Sequence, residues 1–128
     1  MKASIFNTVK ADEIRGISIT GRLWFQRSYG NTYHSVKVEA LVSPEVAKNL
    51  GANKYEVADD DVWIDLAYIS DQYGGGRMFE QTSLELLINS VSDAPKEWKD
   101  LSYIFQAADV LDVPYCSDLY EVSRKKDL

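Results

Sequence analysis

Residues 14–42 read IRGISITGRLWFQRSYGNTYHSVKVEALV, and this stretch decides the fold. Apolar and polar residues alternate over residues 14–25, and a second alternating run covers residues 32–42. Alternation with a period of two is typical of strands that are buried on one face. Between the runs, Gly30-Asn31 tolerates the positive φ of a short hairpin loop. The stretch therefore predicts an antiparallel β-hairpin.

The two strands of this hairpin each have an apolar and a polar face. The apolar face of each half-buried strand carries Ile17, Ile19, Leu23 and Phe25 on the first strand and Val36, Val38, Ala40 and Val42 on the second. The other face and the loop carry the candidate binding residues, which are Arg22, Trp24, Tyr33 and Lys37 on the strands and Arg27 and Tyr29 at the tip. Aromatic side chains stack on nucleobases, and arginine and lysine pair with phosphate. This face is therefore predicted to bind a ligand, unless a helix covers it.

The rest of the chain adds helices and two further strands. The predicted elements are a helix at residues 44–50, a loop at 51–61, a strand at 62–69, helices at 77–91 and 95–111, and an edge strand at 115–124. Ser43 and Pro44 are typical of a helix start, and Asp71 to Gly76 are predicted to break the preceding strand. In the last helix, helical periodicity places Trp98, Leu101, Phe105 and Leu111 in the core and Lys96, Lys99 and Asp100 in solvent.

The length of 128 residues and the hydrophobic content of 45% fit one globular domain over residues 1–128. The hairpin favours antiparallel pairing, and the adjacent helical segments favour helices that are segregated from the strands. We therefore predict an α+β fold, with a mostly antiparallel mixed sheet of three to five strands. Two main helices in the second half should pack on one face of this sheet.

Charge is distributed unevenly along the chain. The net charge is −6, which disfavours binding of extended nucleic acid because that affinity depends on neutralising phosphates. Residues 59–128 hold fifteen acidic and six basic residues, whereas no acidic residue occurs between Ile14 and Val38. The acid-free stretch coincides with the aromatic cluster of the hairpin. It favours an anionic ligand at this surface.

Few residues suit catalysis or metal binding. His34 falls on the core face of its strand, so a hydrogen-bonded structural role is favoured over a catalytic one. Cys116 is the single cysteine and is interpreted as an inert, partly buried thiol. No Cys/His spacing suits zinc. We therefore expect no metal, no cofactor and no catalytic set, and an enzyme is the third hypothesis after two kinds of binding protein.

One glycine-rich segment has two interpretations. Gly74-Gly75-Gly76-Arg77 precedes a predicted helix, where backbone amides and an arginine can hold a phosphate. The segment lacks the lysine and the spacing of a P-loop. A turn is the favoured interpretation.

No apolar run approaches the roughly 18 residues that a membrane-spanning helix needs, and the first residues lack the apolar region of a signal peptide. A single cysteine also fits a reducing compartment. We therefore expect a cytoplasmic protein without a membrane partner.

Residues 22–36, RLWFQRSYGNTYHSV, carry an Arg-x-Trp-Phe motif followed by Tyr-Gly-Asn-Thr-Tyr-His-Ser. This block resembles a family of small, uncharacterised proteins encoded by bacteriophages. Asp71-Gln72-Tyr73 and the ending VSRKKDL at residues 122–128 are similar to later blocks of that family. The resemblance implies a phage or prophage origin and a place in the bacterial host cell. It implies no established activity, although small phage accessory proteins often act against host systems.

Two functions remain as hypotheses. The first is a counter-defence protein that sequesters an anionic, nucleotide-type ligand on the hairpin face. The second is an inhibitor that binds a host protein through the acidic second half of the chain, since complementary charges steer association. The sequence leaves open whether the protein forms a homo-oligomer.

Overall fold

The computed structural model describes residues 3–51 and 60–128. Its strands and α-helices are, in chain order, β1 (Ser4–Ile5), β2 (Gly16–Gln26), β3 (Asn31–Val42), α1 (Pro44–Asn49), β4 (Val62–Tyr73), α2 (Met78–Ser90), α3 (Ile104–Leu111) and β5 (Tyr115–Val122). Most of the predicted loop at 51–61, namely residues 52–59, lies outside the described residues. None of the helices in the described part of the chain is long and apolar enough to cross a membrane.

The strands form one mixed sheet in the order β1-β4-β3-β2-β5. Only the pairing of β2 with β5 is parallel, and the other three pairings are antiparallel. The two longer helices, α2 and α3, follow in the second half of the chain. The predicted α+β fold with a mostly antiparallel sheet is confirmed.

The core lies between the sheet and the helices. Ile19 of β2 pairs with Val38 of β3, and both side chains are fully buried. Phe79 of α2 packs over Gly21 so closely that a Cβ at residue 21 would lie 2.6 Å from the Phe79 ring. Gly21 therefore allows the helix to approach the sheet. This contact also identifies which face of the sheet the helices cover.

The predicted helix over residues 95–111 is wrong in its first half. Lys96–Asp100 is a single 3₁₀ turn, Leu101 is extended, and α3 begins only at Ile104. The main-chain amides of Ser102 and Tyr103 both donate to Gln106 Oε1 at 3.0 Å, which caps a new helix start. The break changes the helical register. As a result Trp98 is buried as predicted, whereas Leu101, Phe105 and Leu111 are only partly buried.

Strand β4 continues through the predicted break. Asp71 has a φ of 58°, and the pairing with β3 shifts register between His34 and Val36. Over this interval β4 has one residue more than β3. Such an extra residue is a β-bulge, which keeps the strand continuous but changes the face to which the following side chains point. Tyr68 pairs with Lys37, and Tyr73 pairs with Tyr33. Without the bulge, two residues five positions apart would lie on opposite faces.

Candidate functional site

The candidate site is the sheet face that the helices leave uncovered. We call it the open face and define it by Arg22, Trp24, Tyr33, Lys37, Tyr68 and Tyr73. Alternation along β2 turns Arg22 and Trp24 away from Gly21, which contacts Phe79 of α2. Whether helices cover this face was undecided in the sequence, and the structure places α2 on the opposite side. Four of the six candidate binding residues share the open face.

Three aromatic side chains form a row across neighbouring strands. Trp24 and Tyr33 are directly paired, with ring centroids 5.8 Å apart and planes at 28°. Tyr33 makes an edge contact with Tyr73, again with centroids 5.8 Å apart. Tyr73 was not among the predicted site residues, because only the bulge in β4 brings it to this face. Such a row provides flat surfaces on which a base can stack.

A polar concavity lies beside the aromatic row. It has a volume of about 320 Å³ and is lined by Thr20, Arg22, Ser35, Lys37 and Tyr68. Small-molecule pockets generally span about 300–1,000 Å³, so this one lies at the lower end of that range. Its lining offers two cations and three hydroxyl groups. Both kinds of group suit an oxyanion.

Acidic residues reach the open face through the tertiary structure. Lys37 Nζ lies 3.5 Å from Glu39 Oε1 and 3.6 Å from Asp65 Oδ1. The acid-free stretch of sequence gave no indication of Asp65, which comes from β4. Solvent-exposed ion pairs contribute only about 0.2–1 kcal/mol, so an anionic ligand can exchange with them at low cost. Arg22 has no such acidic partner among the described residues and is the stronger candidate for phosphate contact.

The two candidate residues of the hairpin loop lie apart from the concavity. Arg27 and Tyr29 follow the last strand pair, Gln26 with Asn31, and both are exposed, Tyr29 by 76%. Arg27 has no hydrogen-bond or ion-pair partner within the described ranges. Arg27 and Tyr29 lie at the end of the site that holds the aromatic row. They are therefore better placed to contact the base or sugar of a ligand than to contact a phosphate bound at Lys37.

The segment at residues 124–128 crosses the open face, and the sequence contained no indication of this. Arg22 Nη1 donates to the main-chain oxygen of Asp127 at 3.1 Å, and Tyr68 Oη donates to that of Leu128 at 2.9 Å. Ser35, which is paired with Arg22, is only 2% exposed although it faces away from the helices. The segment therefore passes between the aromatic row and Lys37.

His34 is structural, as expected. It is 1% exposed, with Nδ1 2.8 Å from the Gly74 carbonyl and Nε2 2.7 Å from Thr82 Oγ1. A carbonyl oxygen only accepts, so Nδ1 carries the proton of a neutral ring, and Nε2 then accepts from the Thr82 hydroxyl, which lies closer to Nε2 than to its other acceptor, the Met78 carbonyl at 3.2 Å. Burial lowers the pKa of His34, which the hydrogen bond to Gly74 only partly opposes. The neutral ring thus links β3 to α2 and to the preceding loop.

We expect the protein to lose stability as the pH falls below about 6.5, the ordinary pKa of histidine. The folded state has the lower pKa, so the unfolded chain binds a proton first on acidification. The contribution of His34 is complete above pH 6.5 and is lost as the pH falls toward the folded pKa. Melting temperatures between pH 8 and 5 should fall more steeply for the wild type than for His34→Gln. Parallel curves would contradict this role.

Two further features that the sequence analysis considered are the glycine-rich segment at residues 74–77 and Cys116. Arg77 donates to Glu80 Oε2 at 2.7 Å and lies 4.7 Å above the Tyr103 ring, so its charge is already engaged. The Gly74 amide donates to Thr32, which supports the turn interpretation. Cys116 is exposed, contrary to the expected partly buried thiol, because β5 is an edge strand.

No cluster of three or more His, Cys, Asp or Glu side chains in residues 3–51 and 60–128 is arranged to hold a metal ion. No model of a protein family, no curated protein and no solved structure matches the chain.

Proposed function

We propose that this protein binds an anionic, base-containing small molecule of the nucleotide type on the open face of its sheet. The observation that carries the proposal is the adjacency of two features, the aromatic row and the polar concavity with Arg22 and Lys37. A nucleotide has a flat aromatic base and a charged phosphate joined by a sugar. The open face has complementary groups in the same order.

The chemistry of the contacts supports this class of ligand. Stacking on an aromatic side chain contributes about 1–3 kcal/mol per base and is tolerant of base identity. A hydrogen bond to a charged group contributes about 1.5–3 kcal/mol. One stacked base and two such contacts at Arg22 and Lys37 together contribute about 4–9 kcal/mol, and micromolar binding requires about 8 kcal/mol, so it is reached only when both parts of the site act together. Neither part alone should suffice.

The biological setting that we propose is that of a bacteriophage accessory protein. The support for this setting is the motif over residues 22–36, which resembles one in bacteriophage-encoded proteins. Three residues of that motif, Arg22, Trp24 and Tyr33, lie on the open face. Sequestering a host nucleotide signal requires binding without turnover. The open face provides cations, hydroxyl groups and aromatic rings for binding.

The test is thermal unfolding of the purified protein with AMP, ATP, cyclic di-AMP and cyclic di-GMP. A ligand at 100 times its Kd should stabilise the fold by about 2.7 kcal/mol, which raises the melting temperature by several degrees. Adenosine and pyrophosphate serve as the two half-ligand controls and should each give a smaller shift. No shift with any nucleotide at millimolar concentration would refute the proposal.

A second candidate function is inhibition of a basic host protein through β5. This strand is at the edge of the sheet and carries Asp118 and Glu121, with Leu119 and Tyr120 exposed beside them. An exposed edge has unpaired main-chain groups that can pair with a strand of another chain. Binding of a lysine-rich strand peptide that weakens in Asp118→Asn and with added salt would favour this function.

A further inference from the structure

Residues 124–128 form a short closed unit on the open face. Arg124 Nε lies 3.2 Å from Asp127 Oδ2, and the Asp127 amide donates to the Arg124 carbonyl at 3.0 Å. A 3₁₀ turn at Lys125–Asp127 is held by these two interactions and by the Leu128 amide, which donates to the Lys125 carbonyl at 3.1 Å. The described contacts that tie this unit to the sheet are polar ones, from Arg22 and Tyr68 to its main-chain oxygens.

These two contacts identify where an oxyanion fits. Arg22 and Tyr68 come from β2 and β4, with β3 between them, yet they donate to oxygens of the consecutive residues Asp127 and Leu128. The two donors therefore reach the same short stretch of main chain from two non-adjacent strands. Both residues also line the same concavity. A phosphoryl group presents several acceptor oxygens within such a space.

The segment also divides the proposed ligand site. Trp24 and Tyr33 lie on one side of it, and Lys37 and Tyr68 lie on the other, as the strand register shows. A nucleotide that stacks on Trp24 and reaches the concavity must cross the position of the segment. Binding along the whole face therefore requires the segment to move.

We propose that residues 124–128 are a strap that closes the site, and that a phosphoryl group displaces it by taking over the donors of Arg22 and Tyr68. This inference rests on the proposed function. The strap is held by an exposed ion pair and hydrogen bonds, which are individually weak, so exchange is energetically accessible. In the closed state, Arg22 and Tyr68 donate to main-chain oxygens of the strap. In the displaced state, they donate to oxygens of the ligand.

The strap is tested with two full-length double variants that keep the net charge. Arg124→Gln with Asp127→Pro removes the ion pair and one of the two amide donors of the turn, that of residue 127, and so loosens the strap. Arg124→Asp with Asp127→Arg reverses the ion pair and keeps the turn. Calorimetric titration with ATP and with pyrophosphate measures the affinity of each variant and of the wild type.

We expect the loosened variant to bind ATP about fivefold or more tightly than the wild type, because closure reduces the population of competent protein. The charge-reversed variant should match the wild type. In the wild type, ATP should also accelerate trypsin cleavage after Arg124, Lys125 and Lys126, because displacement exposes the chain.

Equal or weaker ATP binding by the loosened variant would overturn the strap while leaving the proposed function intact. Slower trypsin cleavage with ATP would also overturn it, since the strap would then close over the ligand. Absence of ATP and pyrophosphate binding in all three proteins would overturn the strap, and the proposed function is overturned with it only when AMP, cyclic di-AMP and cyclic di-GMP also fail to bind.

Discussion

Replacement of Trp98 by alanine is expected to lower the free energy of unfolding by about 3–5 kcal/mol. Trp98 is fully buried, and it is the largest of the fully buried side chains. Its loss leaves a cavity that the surrounding core fills only in part. Small domains are stable by only about 5–15 kcal/mol, so this variant should lose a large share of its stability. Urea denaturation followed by circular dichroism measures the change.

Two controls separate packing from other effects at this position. Trp98→Phe should cost less than Trp98→Ala, because it fills more of the space and removes an indole N–H that has no hydrogen-bond partner among the described residues. Lys99→Ala, at the exposed neighbouring residue, should change stability by less than about 0.5 kcal/mol. If Trp98→Ala and Lys99→Ala had similar midpoints, Trp98 would not be a core residue.

The second large effect should appear in ligand binding. Trp24→Ala is expected to weaken nucleotide binding about ten- to hundredfold, since it removes a stacking contact that contributes about 1–3 kcal/mol. Arg22→Ala should weaken it to a similar extent through loss of a charged hydrogen bond. The two variants differ in the half-ligands. Pyrophosphate binding should survive in Trp24→Ala and should fall in Arg22→Ala.

Trp63→Ala is the matched control for the tryptophan variant. Trp63 is 46% exposed and pairs with Leu41, beyond the acidic pair Glu39 and Asp65 on the same sheet. Its removal should leave nucleotide affinity unchanged in calorimetric titration. If Trp24→Ala and Arg22→Ala both bind normally while folded, the open face is not the ligand site. The acidic edge at β5 then becomes the surface to test.

The hairpin shows how far local sequence determines structure. Alternation along β2 and β3 required Ile19 and Val38 to share the core, and it required Trp24 and Tyr33 to share the other face. The helix cap at Ser43 was equally local, and its hydroxyl accepts from the Val46 amide as expected. Such features depend on a few neighbouring residues. They could therefore be predicted with nothing known about the rest of the chain.

Only part of the site could be predicted from the sequence, because the rest of it depends on contacts between distant segments. Tyr68 and Tyr73 are five positions apart, an odd offset that assigns them to opposite faces of a regular strand. The left-handed backbone at Asp71 reverses that assignment, and no local pattern indicates it. Asp65 likewise reaches Lys37 only through strand pairing. Both depend on register between distant segments.

The sequence by itself determined the hairpin, the class of the fold, the start of strand β4 at Val62 and the side chains that face away from the core at Arg22, Trp24, Tyr33 and Lys37. Periodicity encodes these features, because side-chain direction in a strand follows from the backbone alone. The tertiary structure decided which face the helices cover, which residues of β4 join the aromatic row, and where residues 124–128 lie. These depend on packing and on hydrogen bonds between residues up to 105 positions apart, such as Arg22 with Asp127, which no sequence period records.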